Sequence, residues 1–453
     1  MGSDSAGDQN QNNHQDHHTI KIWEVNEERL TCMKQKINTP PKLLAPSSGQ
    51  SSCCIFRVPQ SLVEINGTSY QPRIVSIGPY HYSDPNLQMI QEHKWRYLGS
   101  LLTRTRSKGV ELEHYLKSIA LLEEKARECY SETIHFTTDE FIEILVLDGC
   151  FIIEIFRKMK RLIPFEPGDP LVSMSWILPF FYRDFLRLEN QIPYFVLQTL
   201  FDLTKMPGEE NGPTLSTLAL EFFNYGMLRP DEHIDRFSTL EGTHLLDLCR
   251  NSFIPVNLPE PRKRTNLQTQ SIQNVSKLRS AGIKLKPGKG ESFLVAEFKR
   301  GVLEMPTITI DDFYTSFLLN CVAFEQCHKN STKHMTTYTT LLDCLVNSAR
   351  DVEHLTERNI IENYYGTDGE VARFINNMGK DVAFDIEKCY LTKLFNDVNE
   401  YYQNGWHVQW ASFKYTYFDT PWSFISALAA FVLLLLTMAQ TFFTVFPYFR
   451  PPH

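Results

Sequence analysis

Four pairs in this chain have the E-x-x-H spacing: Glu111/His114, Glu132/His135, Glu241/His244 and Glu325/His328. Three residues apart on a helix, a carboxylate and an imidazole share one face, the half-site of a di-iron carboxylate bundle. A complete site needs two further helices that each bring a Glu from an apolar face, and no pair here has them. Glu132 and Glu241 also stand in stretches interrupted by polar residues or by Gly242. No metal is expected. The remaining candidates are Asp148 and Glu154, the only charges between Glu143 and Arg157 in EFIEILVLDGCFIIEIFRKMK. On a helix they point about 120° apart and cannot share a ligand. Carboxylates in so apolar a stretch need partners. Arg183 and Arg187 in the next apolar stretch are the expected ones, giving a buried structural network rather than a catalytic pair.

Signatures of other chemistries are missing. There is no G-x-S-x-G elbow, no H-E-x-x-H and no dinucleotide fingerprint, and Gly288-Lys289-Gly290 lacks the spacing of a phosphate loop. Ten cysteines are scattered with no CxxC, so zinc or haem attachment by cysteine is not expected. His14, His17 and His18 lie in a polar tail and read as solvated. No catalytic residue and no cofactor is assigned.

The elements that would position such residues begin after a leader read as disordered, residues 1–50, with no apolar run that could serve as a secretory signal. The body spans residues 51–405. It opens on short β-rich runs, with Cys53-Cys54 at a strand start and turns at Asn66-Gly67 and Gly78-Pro79. From Met89 the period becomes helical: Leu112, Tyr115, Leu116 and Ile119 share one face. Thr137 and Glu140 form a capping box before the apolar helix that carries Asp148, which is hydrophobic nearly all round and so central. FFYRDFLRLENQIPYFVLQTLFDL reads as the next helix. Residues 255–270 form a variable loop. AGIKLKPGKGESFLVAEFKRGVLEMPTITID turns as two or three antiparallel strands would. Further helices are expected over 313–328, 338–354 and 386–402.

Charge divides the chain unevenly. Net charge is −8, which argues against a nucleic-acid binder, yet residues 261–300 hold ten Lys/Arg against two acids. That basic stretch reads as a solvated loop and strand edge. An anionic membrane surface, or a nuclear signal at Arg262-Lys263-Arg264, is the functional alternative.

The carboxyl end is the clearest segment. From Trp422 to Phe446 there is no charge, and thirteen of the 25 residues are Leu, Ile, Phe or Val. A helix of that length measures about 37 Å, enough to cross a hydrocarbon layer of ~30 Å. Aromatic residues collect before it in the juxtamembrane segment 406–420 (Trp406, Trp410, Tyr415, Tyr417, Phe418) and after it at Tyr448 and Phe449, in the tail 447–453. The transmembrane helix, residues 421–446, is expected to act as a tail anchor in the lipid bilayer with the body in the cytosol. Its polar and small residues fall on one side: Ser423, Ser426, Ala430, Thr437, Gln440, Thr441 and Thr444. Such a face suits lateral association with a second copy or a partner span, unless the hydroxyls bond to their own helix.

Several stretches together, RVPQSLVEINGTSYQPRIVSIGPYHY, LDGCFIIEIFR, RLENQIPYFVLQTLF, VSKLRSAGIKLK, FLLNCVAFEQC and YFDTPWSFISALAAFVLLLLTMAQTFFTV, resemble the plant-specific family called domain of unknown function 247. The resemblance runs from about Ile55 to Phe446. It implies a flowering-plant membrane protein, in a family implicated in self-incompatibility recognition in grasses, and carries over no catalytic residues. The expected fold class is mainly α (α+β), a helical body with a small antiparallel β element and one carboxyl-terminal transmembrane helix. The expected function is a non-enzymatic, membrane-anchored recognition or signalling protein whose unknown partner is met through protein–protein contacts. The alternative is a membrane-tethered enzyme, a hydrolase or metal-dependent, using the buried acids or an E-x-x-H pair.

Overall fold

The computed structural model describes residues 25–39, 43–404 apart from 175, 210, 231, 233, 235, 257 and 259–270, and 421–449. His14, His17 and His18, the basic residues 262–264 and the aromatic segment 406–420 lie outside the described residues, as does the side chain of Ser423. The chain divides into two units, Met1–Leu43 and Leu44–His453. The first contains α1 (Glu27–Asn38), inside the stretch read as leader. Asn26 caps it by accepting from the Arg29 amide, and Glu27 and Glu28 suit its positive end.

The second unit is mostly helical. Its first half contains α2 (Gln60–Asn66), α3 (Gln88–Thr105), α4 (Leu112–Ala120), α5 (Glu123–Glu128), α6 (Thr138–Met159), α7 (Pro170–Ser173), α8 (Ile177–Asp184), α9 (Tyr194–Thr204), α10 (Leu215–Met227) and α11 (Leu245–Asn251). Helix α6 is its axis. The Thr137/Glu140 capping box starts it, every residue from Ile144 to Lys158 is buried, and α3, α4, α9 and α10 pack around it. The second half holds α12 (Val275–Ser280), α13 (Asp312–Cys327), α14 (His334–Leu345), α15 (Ala349–Glu357), α16 (Asp368–Met378) and α17 (Thr392–Gln403). Last comes α18 (Pro421–Phe449), whose residues Ile425–Val445 are long and apolar enough to cross a membrane.

Five local expectations change. The strand region 284–305 forms a mixed rather than antiparallel sheet, β1 (Lys284–Pro287), β3 (Val302–Met305), β2 (Glu297–Lys299) in spatial order. A tight turn through Arg300 and Gly301, both at positive φ, makes the β2–β3 hairpin, whereas β1 joins the other edge of β3 in parallel. Strands β4 (Ile308–Ile310) and β5 (Ile361–Asn363) pair in parallel, as strands separated by whole helices can. The stretch read as one helix from Phe180 onward breaks between Asp184 and Tyr194, at LENQIP. The helix read over 338–354 is two, because Ser348 and Asp351 form a new capping box, and that over 386–402 starts only at Thr392. Finally, residues 53–82 form no strand ladder; their β pairing is the single Ile55–Tyr130 bridge.

Candidate functional site: a buried polar junction

The reason for that missing ladder is the main feature of the body. Residues 73–78 pair with no strand, and five of their six amides are met by side chains from other elements. Asp184, at the end of α8, accepts from the amides of Arg73 (2.9 Å), Ile74 (2.9 Å) and Val75 (3.2 Å). Asn190 accepts from Ile77 (2.6 Å) and donates to the carbonyls of Val75 and Asp184. Asp148 on α6 accepts from Gly78 (2.8 Å). Gln191 donates to the carbonyls of Phe185 and Arg187, closing the LENQIP turn on itself. Gly78 sits at φ 73°, and a Cβ there would lie 2.5 Å from the Gln191 carbonyl oxygen, so the position needs glycine for conformation and for space.

The sequence-derived charges fall differently from expectation. Asp148 and Glu154 are fully buried, but neither meets Arg183 or Arg187. Helix α3 supplies both partners: Lys94 Nζ lies 2.5 Å from Asp148, and the Arg104 guanidinium makes a two-pronged contact with Glu154. Arg187 instead pairs with Asp184 at 3.0 Å, and Arg183 lies near the surface, 3.4 Å from Asp312 and over the Phe180 ring. The helix expected to carry both arginines ends at Asp184, so Arg187 lies beyond it and turns back to Asp184, while Arg183 faces Asp312. Burial raises the Asp148 carboxyl and lowers the Lys94 ammonium, with each charge opposing the shift of the other. Lys94 also donates to the Ser76 carbonyl and to Gln91. Burial likewise raises Asp184, against the pull of Arg187 and three amides.

Toward the surface the junction ends in a rim. Glu189 accepts from the Val58 amide (2.8 Å), from Arg57 (2.8 Å) and from His81 (3.0 Å). Burial pushes its carboxyl up, but those donors outweigh it and hold it below the usual range. Arg57 also lies 4.3 Å over the Tyr80 ring and 3.5 Å from the half-exposed Glu132.

The E-x-x-H pairs are dispersed. His114 accepts from the Glu111 amide in a helix cap. His244 caps α11, accepting from the Asp247 amide through Nδ1 and donating to the Cys54 carbonyl through Nε2. Glu325 is 2.7 Å from Arg250 and accepts from the amides of Met335 and Thr336. Among the described residues no group of three or more His, Cys, Asp or Glu is placed to hold a metal ion.

In α18 the hydroxyls of Thr437, Thr441 and Thr444 donate to the carbonyls four residues earlier, at 2.8, 2.7 and 2.7 Å. Gln440 has no such partner among the described residues, and Ser426 and Ala430 are exposed.

Sequence reasoning missed Lys94 and the LENQIP carboxamides. Lys94 carried a signal, because it lies in the Ile90, Tyr97, Leu98, Leu101 stripe of α3. Glu189, Asn190 and Gln191 carried no local signal, since three consecutive polar residues inside an apparent helix do not show what they bond.

The fold is thus a helical body with a buried polar junction, followed by one apolar helix long enough to cross a membrane. The chain belongs to the family described as a plant protein of unknown function, DUF247, which matches residues 55–436. It is similar to a UPF0481 protein of Arabidopsis thaliana, 38% identical over 431 residues that cover 90% of this chain and 89% of the relative. A putative UPF0481 protein of the same plant is 25% identical over 492 residues, covering 87% and 90%. No solved structure matches.

Proposed function

We propose that this chain is a membrane-anchored recognition protein that works through protein–protein contacts and carries out no reaction on a substrate. One observation carries the reading. Asp148, Glu154, Asp184 and Glu325, the acids buried where a reaction centre would lie, each hold a cationic partner; three of them also accept main-chain amides. Groups so engaged stabilise a scaffold and are poorly placed to move protons. The partner-facing surface in this reading includes the Arg57, Tyr80, His81 and Glu132 rim, which combines an aromatic ring with paired charges as contact surfaces do. The span adds a second contact through Gln440, to another copy or to a partner helix. The body faces the cytosol.

Cross-linking capture from native membranes tests it, comparing wild type with Arg57→Glu. A saturable partner lost in the variant is expected. Stoichiometric iron or zinc in the purified chain would overturn the reading in favour of an enzyme. Protease added to intact vesicles should digest the body, whereas glycan on Asn66, Asn274 or Asn330 would place it on the opposite side.

A further inference from the structure

Residues 271–300 hold seven Lys/Arg against Glu291 and Glu297, in a protein whose net charge is −8. The β1–β3–β2 sheet sorts several of them onto one face. In β1 the alternation buries Leu285 and turns Lys284 and Lys286 outward. The register sets Lys284 and Lys299 on either side of Val302, and Lys286 and Glu297 on either side of Glu304. The row beside the hairpin turn is thus cationic, and the row beyond it is mixed. The turn itself carries Arg300, exposed at φ 50°. Lys284, Lys286 and Arg300 have no ion-pair partner among the described residues, while Lys299 pairs with Glu297.

This hairpin adjoins the point where the chain leaves the body. The Phe298 and Tyr401 rings stand 5.8 Å apart, and a Cβ at Gly301 would lie 2.7 Å from the Tyr401 hydroxyl. Tyr401 is in the last turn of α17, which ends at Gln403, and α18 starts at Pro421. The seventeen intervening residues can reach no more than about 60 Å. So short a tether holds the hairpin at high effective concentration beside the surface that α18 enters.

We propose that this sheet face, led by Lys284, Lys299 and Arg300 at the hairpin end, docks on an anionic lipid surface. The inference rests on α18 being a membrane span. Anionic headgroups supply the counter-charge that Lys284 and Arg300 lack, and the attraction decays within about 10 Å at ordinary ionic strength, so it acts only while the chain keeps the face close. The mixed row with Glu297 and Glu304 is repelled, which tips the sheet onto its turn.

The test uses the full chain in lipid nanodiscs, of phosphatidylcholine alone or with phosphatidylserine added, and reads lysine acylation rates by mass spectrometry. Resistance to carbonate extraction from matched vesicles first establishes insertion of α18, so failure of the span is distinguished from failure of docking. In anionic discs Lys284 and Lys299 should react roughly three- to tenfold more slowly than in neutral ones. Lys286 should slow less, and Lys117 on α4 should not change. High salt should erase the difference, and the double variant Lys284→Glu/Arg300→Glu, whose sites are exposed and whose circular dichroism should match wild type, should erase it at Lys299. Equal rates in both lipids for an inserted chain would overturn the proposal, as would protection that survives high salt. Protection by added RNA or acidic peptide in neutral discs, with none from anionic lipid, would assign the face to another polyanion and overturn it equally.

Discussion

The junction around residues 73–78 and the polar side of α18, the helix proposed to span the membrane, satisfy their polar groups in opposite ways. In the junction, amides of residues 73–78 are met by side chains between 70 and 113 positions away. In α18 each threonine hydroxyl returns to a carbonyl four residues before it. A polar group satisfied four residues away costs no long loop to close, and the helix that carries it is self-sufficient. A group satisfied across the fold gains its partner only when α3, α6 and the LENQIP turn are all in place. The junction is therefore cooperative and intolerant of single changes, whereas the span tolerates most of them.

The largest effect should come from separating the two members of a buried pair. Asp148→Ala leaves Lys94 charged and unpaired and should cost roughly 3–5 kcal/mol, read by denaturant unfolding of the purified chain. Lys94→Met combined with Asp148→Leu should recover most of that loss, because no lone charge then remains. If the double variant is no better than the single, the pair itself is not what the core depends on, and the contrast drawn here fails.

Acid should attack the body next. Burial of His244 lowers its pKa to about 4, against the opposing pull of Asp247 and of the Cys54 carbonyl to which Nε2 donates, while Nδ1 caps α11. The unfolded chain, titrating near 6.5, binds the proton more readily. The contribution is therefore complete above pH 6.5 and is lost as pH falls toward 4, by at most about 3 kcal/mol. His334, also lowered to about 4 by burial, adds in the same direction. Stability measured across that window should fall, and His244→Asn, which can still cap, should flatten the slope.

The span should respond more weakly. Gln440→Leu should weaken helix association by roughly 0.6–2 kcal/mol in a membrane assay on residues 421–449, with Ser426→Leu acting in the same sense. A monomeric wild-type helix would remove this contact surface. The smallest effect is reserved for Thr441→Val, which should leave association unchanged because its hydroxyl is already held within the helix. A marked loss would show that the threonines reach across an interface, and the distinction between the two regions would narrow.

Several features could be read without the fold because their causes are local. The capping box of α6, its all-round hydrophobicity, the uncharged run of α18 and the family motifs depend on residues within a turn or two of one another. What only the tertiary structure decided is which charge meets which. Asp148 and Glu154 have α3 as their neighbour rather than α8, because LENQIP breaks a stretch whose apolar period continues on both sides. Residues 73–78 read like a strand, yet no strand pairs with them; the acceptors are carboxylates and a carboxamide that arrive from elsewhere. The period of a sequence reports which side of an element is buried. It holds no record of what stands opposite, because that is set by where distant turns send the chain.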